Sequence, residues 1–111
     1  MKHEIIVNSI LEVACCLLEK EESLCQQAYA LDSDSFPIEP ESDDAVKFCI
    51  IGAMRRAMYF LRAPENTCRY AFRKLDNAAY KLYGLSALTV NDEMGFKEIK
   101  AIFKEAIKCP G

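Results

Sequence analysis

The side chains with the greatest chemical potential in this chain are its six cysteines, which could form disulfides, bind a metal or act as nucleophiles. They are Cys15, Cys16, Cys25, Cys49, Cys68 and Cys109. The amino end does not match an export signal, because acidic residues interrupt its apolar run and no cleavage pattern of small residues follows. Most of the cysteines lie in apolar, helix-periodic segments, where free thiols pack as small hydrophobic groups. The sequence therefore predicts reduced, structural cysteines in a cytoplasmic protein.

Metal binding and cysteine catalysis both need partners that the sequence does not place near the thiols. There is no C-x-x-C pair, and His3 is the only histidine. The adjacent Cys15 and Cys16 would point about 100° apart on a helix, which prevents them from binding one ion together. A nucleophilic cysteine would lack a basic partner. We therefore expect no metal, no cofactor and no catalytic residue, with a cysteine-based metal or redox sensor as an alternative.

Two other classes of protein are excluded on similar grounds. The four glycines are isolated from one another, so no glycine-rich loop is available to bind phosphates. Charged residues break every apolar stretch well before the roughly 20 residues that span a bilayer. The many carboxylates lie in a polar segment where nothing would separate their pKa values for acid–base catalysis. The sequence thus predicts neither an enzyme nor a membrane protein.

The charges are segregated along the chain. Residues 1–44 carry a net charge of −9, residues 45–83 carry +6, and the remainder is neutral, within a total of −3. The segment 32–44, DSDSFPIEPESDD, combines acidic residues with turn formers and two prolines, and it predicts a loop that could include a short hairpin. Such an acidic loop could dock on the basic helices of its own chain, or it could imitate a nucleic-acid backbone to a partner.

The remaining periodicity predicts an all-α fold, with residues 1–111 forming one compact bundle of about four helices and one long acidic loop. The predicted helices are 4–22, 43–61, 64–83 and 96–108. Residues 85–90 predict a brief strand or extended segment, followed by a turn at 91–95. Gly52, small and in mid-helix, predicts the close approach of another helix. Core positions include Phe60 on the second helix and Leu82 on the third.

The second helix carries a mixed face that predicts either a central, covered helix or a protein-binding surface. Its candidate partner-binding residues are Phe48, Ile51, Arg55, Met58, Tyr59 and Arg62. The partner would be another protein or a second copy of the chain. On the third helix, tyrosines alternate with basic residues, as in sites for single-stranded nucleic acid, and nucleic-acid binding is the alternative. The residues concerned are Arg69, Tyr70, Arg73, Lys74 and Tyr80.

Three segments carry short motifs: LCQQAY at 24–29, CIIGAMRRA at 49–57, and Asn91-Asp92 before an amphipathic helix that ends in FKEAI at 103–107. Together they resemble an uncharacterised family of small bacterial and phage proteins, domain of unknown function 6197. That family shows a segment with tryptophan and glutamine, a C-x-x-G-A-L stretch and a W-N-D turn. Here Met54 stands at the leucine position and Val90 at the tryptophan position of the turn. The resemblance implies a compact accessory protein without catalytic residues.

These patterns favour a small, non-enzymatic protein-binding module with an accessory or regulatory role, and the resemblance implies that a phage or another mobile element carries it.

Overall fold

A computed structural model describes the backbone of residues 2–108 and the side chains of residues 4–108, so Cys109 and the side chain of His3 lie outside it. Within these limits the chain forms five α-helices and one small antiparallel sheet. The helices are α1 (Lys2–Leu17), α2 (Ile50–Leu61), α3 (Glu65–Tyr83), α4 (Ala87–Glu93) and α5 (Phe96–Lys108), and the strands are β1 (Ala30–Leu31) and β2 (Lys47–Phe48). The predicted, mostly helical fold is confirmed. The prediction of about four helices did not include α4 or the two-stranded sheet.

The core lies where α1, α2, α3 and α5 meet. Its largest fully buried apolar side chains come mainly from α1 and α5, with contributions from α2, α3, α4, the turn after α1 and the acidic segment. They are Ile10, Leu11, Leu18, Pro40, Ile50, Met54, Leu75, Val90, Ile99, Ile102 and Phe103. Each of these helices therefore buries one apolar stripe, as the periodicity predicts. Among residues 2–108, none of the helices is long and apolar enough to cross a bilayer.

Local signals set the bounds of α3 and α5. Gly84 ends α3 in the left-handed conformation, with φ of 70°, and its N–H bonds to the carbonyl of Tyr80. This is the usual role of a glycine just past a helix end. At the start of α5, the N–H of Gly95 bonds to the carboxylate of Glu98. The predicted ranges for these two helices match the structure to within one residue.

Helix α2 begins at Ile50, seven residues later than the predicted start at residue 43. The residues in between are held by long-range pairing, because Phe48 pairs with Ala30 and Lys47 with Leu31 across the two strands. Phe48 is consequently buried on β2 and does not lie on a helix face. The prediction for α1 was also too long, since α1 ends at Leu17 and a short 3-10 turn follows at Glu21–Ser23.

Helix α4 replaces the extended segment and turn that were predicted for residues 85–95. Two side chains supply the hydrogen bonds that its first turn needs. Ser86 Oγ accepts from the N–H of Thr89 at 3.2 Å, and Asp76 Oδ1, on α3, accepts from the N–H of Ala87 at 2.9 Å. Capping of this kind stabilises a helix start by about 1 kcal/mol. The prediction failed because one of the two caps comes from a distant helix.

Residues 39–42 of the acidic segment fold back on α2, whereas residues 33–37 are exposed. Arg55 donates to the carboxylates of Glu39 and Glu41, at distances of 2.9–3.1 Å. Arg56 donates to the carbonyl oxygens of Pro40 and Ser42, at 3.2 and 2.6 Å. The negative and positive parts of the sequence therefore engage each other within one chain, which is the first of the two roles that the charges suggested.

Candidate functional site

The three motif segments meet at the amino end of α2, around the fully buried side chain of Asn91. Asn91 Oδ1 accepts from the N–H of Ile50 at 2.8 Å, and its Nδ2 donates to the carbonyl of Cys25 at 3.2 Å. Its backbone carbonyl accepts from Gln26 Nε2 at 2.7 Å. We call this set, Cys25, Gln26, Ile50 and Asn91, the Asn91 junction. It joins α4 to the segment after α1 and to the start of α2.

Gly52 brings the backbone of the 25–30 segment against α2. The carbonyl of Tyr29 accepts from the N–H of Cys49 at 3.1 Å. A Cβ atom at position 52 would overlap that carbonyl oxygen and would lie 2.7 Å from the carbonyl carbon. The mid-helix glycine thus permits a close approach, as predicted, but the approaching element is an irregular segment and not a helix.

A cavity of about 410 Å³ opens beside the Asn91 junction. Its walls come from residues 27–30, residues 37–39 and the side chains of Cys49, Leu88 and Asp92, and we call it the Tyr29–Asp92 cavity. Gln27, in its wall, has a φ of 68°, a left-handed conformation that residues other than glycine rarely adopt. The sequence analysis did not identify this cavity, because its walls come from three segments that lie far apart in the chain.

The thiols nearest the cavity are neutral near pH 7. Burial raises the pKa of the Cys49 thiol, while the backbone amides of Gly52 and Ile51 act in the opposite direction. Burial also raises the pKa of the Cys25 thiol, to about 11. Cys49 instead acts as the N-cap of α2, its Sγ accepting from the N–H of Gly52 at 3.3 Å. A protonated thiol is a poor nucleophile and a poor metal ligand, so the structural role predicted for these cysteines suits their environment.

The other described cysteines, Cys15, Cys16 and Cys68, are free thiols as well, and Cys16 is the exposed one. Within residues 4–108, no cluster of three or more histidine, cysteine, aspartate or glutamate side chains is arranged to hold a metal ion. Cys109, the sixth cysteine, lies outside the described residues.

We expect the stability of the folded protein to fall as the pH is raised from about 9 towards 11, partly through Cys25. Burial and the neighbouring Cys49 raise the pKa of Cys25 from 9.0 to about 11, although Lys47 acts in the opposite direction. In this range the unfolded chain loses the thiol proton while the folded chain keeps it, so alkali favours the unfolded state. Urea denaturation at several pH values measures the effect. Between pH 9 and 11, the free energy of unfolding should fall less steeply with pH for Cys25→Ser than for the wild type or the exposed control Cys16→Ser. The same dependence of this free energy on pH in all three proteins would contradict the prediction.

The six predicted partner-binding residues run from β2 to the carboxyl end of α2, and the structure separates them into covered and exposed groups. Phe48 and Met58 are buried, Ile51 packs against the core, and Arg55 is occupied by Glu39 and Glu41. Tyr59 and Arg62 are exposed. Most of the mixed face is therefore covered, as expected for a central helix. Its carboxyl end is exposed, as expected for a binding surface.

Phe60 belongs to this open end, although helical periodicity predicted it in the core. It shares the helix face of Ala53 but lies two turns further on, and 71% of its surface is exposed. Leu82, also predicted in the core, is 39% exposed near the end of α3. Helix α2 ends at Leu61, where it was predicted to end, and Arg62 follows it in the left-handed conformation. The residue types around Phe60 give no signal of its exposure. We call Tyr59, Phe60 and Arg62 the α2-end surface.

The α2-end surface borders an open groove of about 690 Å³. Glu41, Arg55, Met58 and Ala63 complete the lining of the groove. The backbone at Arg62 is held by hydrogen bonds from its N–H to the carbonyls of Met58 and Tyr59. The exposed side chains thus project from a well-anchored helix end.

The candidate nucleic-acid residues lie along α3, and four of the five already make contacts within the chain. Arg69 pairs with Glu65 at 3.4 Å, the Arg73 guanidinium lies 5.9 Å from the centroid of the Tyr70 ring, and Lys74 Nζ bonds to Asn8 Oδ1 at 2.9 Å. Tyr80 is 56% exposed. Nucleic-acid binding stays a prediction, and these contacts would compete with it.

Comparison of the chain with protein-family models, with curated proteins and with solved structures yields no match. The resemblance described from the three motif segments therefore stays a prediction, and the functional argument rests on the geometry of the two ends of α2.

Proposed function

We propose that this protein is a small, non-enzymatic, cytoplasmic module that binds another protein through the α2-end surface. The observation that supports this most strongly is the exposure of two adjacent aromatic side chains on a rigid helix end, 62% for Tyr59 and 71% for Phe60. Aromatic residues, methionine and arginine are enriched in protein interfaces, and interfaces concentrate their binding energy in such anchors. Arg62, which lines the same groove, supplies the arginine.

The chemistry of the surface defines the partner that would fit it. The two exposed rings offer an apolar platform beside the groove, which suits one or two large apolar side chains of a partner. Within residues 4–108, the Arg62 guanidinium has no ion pair, so it can receive a carboxylate from outside. A second copy of the chain is one such partner, and a different protein is the other.

The five free thiols described are consistent with a reducing compartment and support the cytoplasmic part of the proposal. A phage or bacterial accessory role, which the resemblance implies, fits a module whose activity is binding.

Site-specific photocrosslinking tests the proposal. A benzophenone amino acid placed at position 60 should form one discrete adduct in cells that make the protein, because Phe60 lies at the centre of the surface. The same substitution at position 80 is the matched control, since Tyr80 is an aromatic residue of similar exposure on α3. Arg62→Glu should abolish the adduct from position 60 by reversing the charge that faces the partner, without lowering the thermal stability.

Mass spectrometry of the adduct identifies the partner as a second copy or as a different protein, and either supports the proposal when the adduct depends on Arg62. The absence of an adduct at position 60, or the same adduct from positions 60 and 80, would contradict it.

A further inference from the structure

We propose that the Tyr29–Asp92 cavity binds an organic cation, a protonated amine or guanidinium carried on a short apolar chain. This site lies at the amino end of α2, whereas the α2-end surface lies at the carboxyl end, so the inference does not depend on the proposed function. The same chemistry is available from a free alkylamine and from a lysine or arginine side chain of a peptide.

The shape and lining of the cavity suit the apolar part of such a ligand. Its volume of about 410 Å³ falls within the range of sites for small molecules. Ala28, Ala30, Pro37, Ile38 and Leu88 contribute apolar groups to the walls. Tyr29 and Leu88 keep 51% and 41% of their surfaces exposed, and burying them would favour binding.

The walls are fixed in place by hydrogen bonds of the surrounding backbone. The carbonyl of Tyr29 is bonded to Cys49, and the carbonyl of Ala30 accepts from the N–H of Ile38 at 3.1 Å. The residue before Asp92 is Asn91, whose side chain anchors the junction on both sides. The cavity is therefore largely formed before any ligand enters, which lowers the entropic cost of binding.

The charges of the lining select a cation. The ionisable carboxylates in the wall are those of Glu39 and Asp92, and none of the lining residues is a lysine or an arginine. Arg55 neutralises Glu39 from outside the cavity, at 3.1 Å. Asp92 lies at the exposed rim of the cavity; within the described residues its carboxylate has no ion pair or hydrogen bond, and its charge contributes to the raised pKa of the Cys49 thiol in the wall. Asp92 is thus left to pair with a positive group from outside the chain.

The ring of Tyr29 is the second group of the lining that a ligand would contact. The guanidinium of Arg55 lies 5.5 Å from the centroid of the Tyr29 ring, within the range of a cation–π contact. Arg55 already makes this contact, so the ring offers the ligand its exposed apolar surface and not a free site for its charge. The side chains that would recognise the ligand are therefore Asp92 for its charge, and Tyr29 and Leu88 for its apolar chain.

NMR titration of the intact chain tests this site with three probes: hexylamine, the neutral isostere hexanol, and Nα-acetyl-lysine methylamide. We expect hexylamine to shift the amide signals of Ala30, Leu88 and Asp92, with hexanol binding at least about tenfold more weakly. Asp92→Asn should weaken hexylamine binding by a similar factor. Glu93→Gln, which removes an adjacent exposed carboxylate outside the cavity, should leave binding unchanged.

The amide spectra of both variants without ligand establish that each is folded. Tighter binding of the lysine derivative than of hexylamine would support the site and assign the cation to a peptide, and the reverse order would support the site and assign it to a free amine. Equal binding of hexylamine and hexanol, equal binding by the wild type and Asp92→Asn, or shifts confined to other surfaces would overturn the inference.

Discussion

Gly52→Ala is expected to destabilise the protein by about 3 kcal/mol or more, the largest effect we predict for a single substitution. The added Cβ would overlap the carbonyl oxygen of Tyr29, which is a backbone atom and cannot rotate away. Relief of the overlap would also break the hydrogen bond between Cys49 and Tyr29 that lies beside it. The free energy of unfolding, measured by urea denaturation, checks the prediction.

This result would reverse the effect expected from helix propensity. Alanine is favoured over glycine by about 1 kcal/mol inside a helix, so helix propensity considered alone would predict that Gly52→Ala stabilises α2. Gly95→Ala is the matched control, since a Cβ there would meet only Glu98 Oε1, at an ordinary 3.5 Å. We expect that control to change the stability by less than about 1 kcal/mol. Equal effects of the two substitutions would show that the close approach at Gly52 does not exist.

Asn91→Ala is expected to cost about 3 kcal/mol, because it leaves the buried N–H of Ile50 and the carbonyl of Cys25 without their present partners. Each buried polar group that loses its hydrogen bond costs about 1–3 kcal/mol. The substitution also leaves a small void beneath α4. Urea denaturation gives the total loss, and faster hydrogen exchange at the amide of Ile50 would show that the loss originates at the junction.

Asn77→Ala provides the control for the change of residue type. Asn77 lies on α3 and is exposed, so its replacement should alter the stability by no more than about 0.5 kcal/mol. A loss at Asn91 as small as that at Asn77, with unchanged exchange at Ile50, would mean that the Asn91 junction does not hold the three segments together.

The effects expected at Gly52 and Asn91 also bear on the two proposed binding sites. Both residues act at the amino end of α2, where they fix the walls of the Tyr29–Asp92 cavity. Partial loosening of the junction should therefore weaken binding in the cavity before it affects the α2-end surface.

The amino-acid sequence by itself determined the helical class and the bounds of α3 and α5. Those features depend on neighbours in the chain: apolar side chains every three or four residues, a glycine directly after α3, and a capping glutamate in α5. It also indicated that Gly52 permits a close approach and that the acidic segment could engage the basic helix. Each of these inferences needs only residue types and short spacings.

Only the tertiary structure decided where α2 begins, that residues 87–93 form a helix, and that Phe60 is exposed. It also brought Cys25, Ile50 and Asn91 into one hydrogen-bonded group and formed the cavity beside them. The hydrogen bonds of this group join residues 41 and 66 positions apart, so they form only when the whole chain has packed. Contacts at such separations leave no local periodicity or capping signal in the sequence, and that is the physical reason why the site could not be predicted from it.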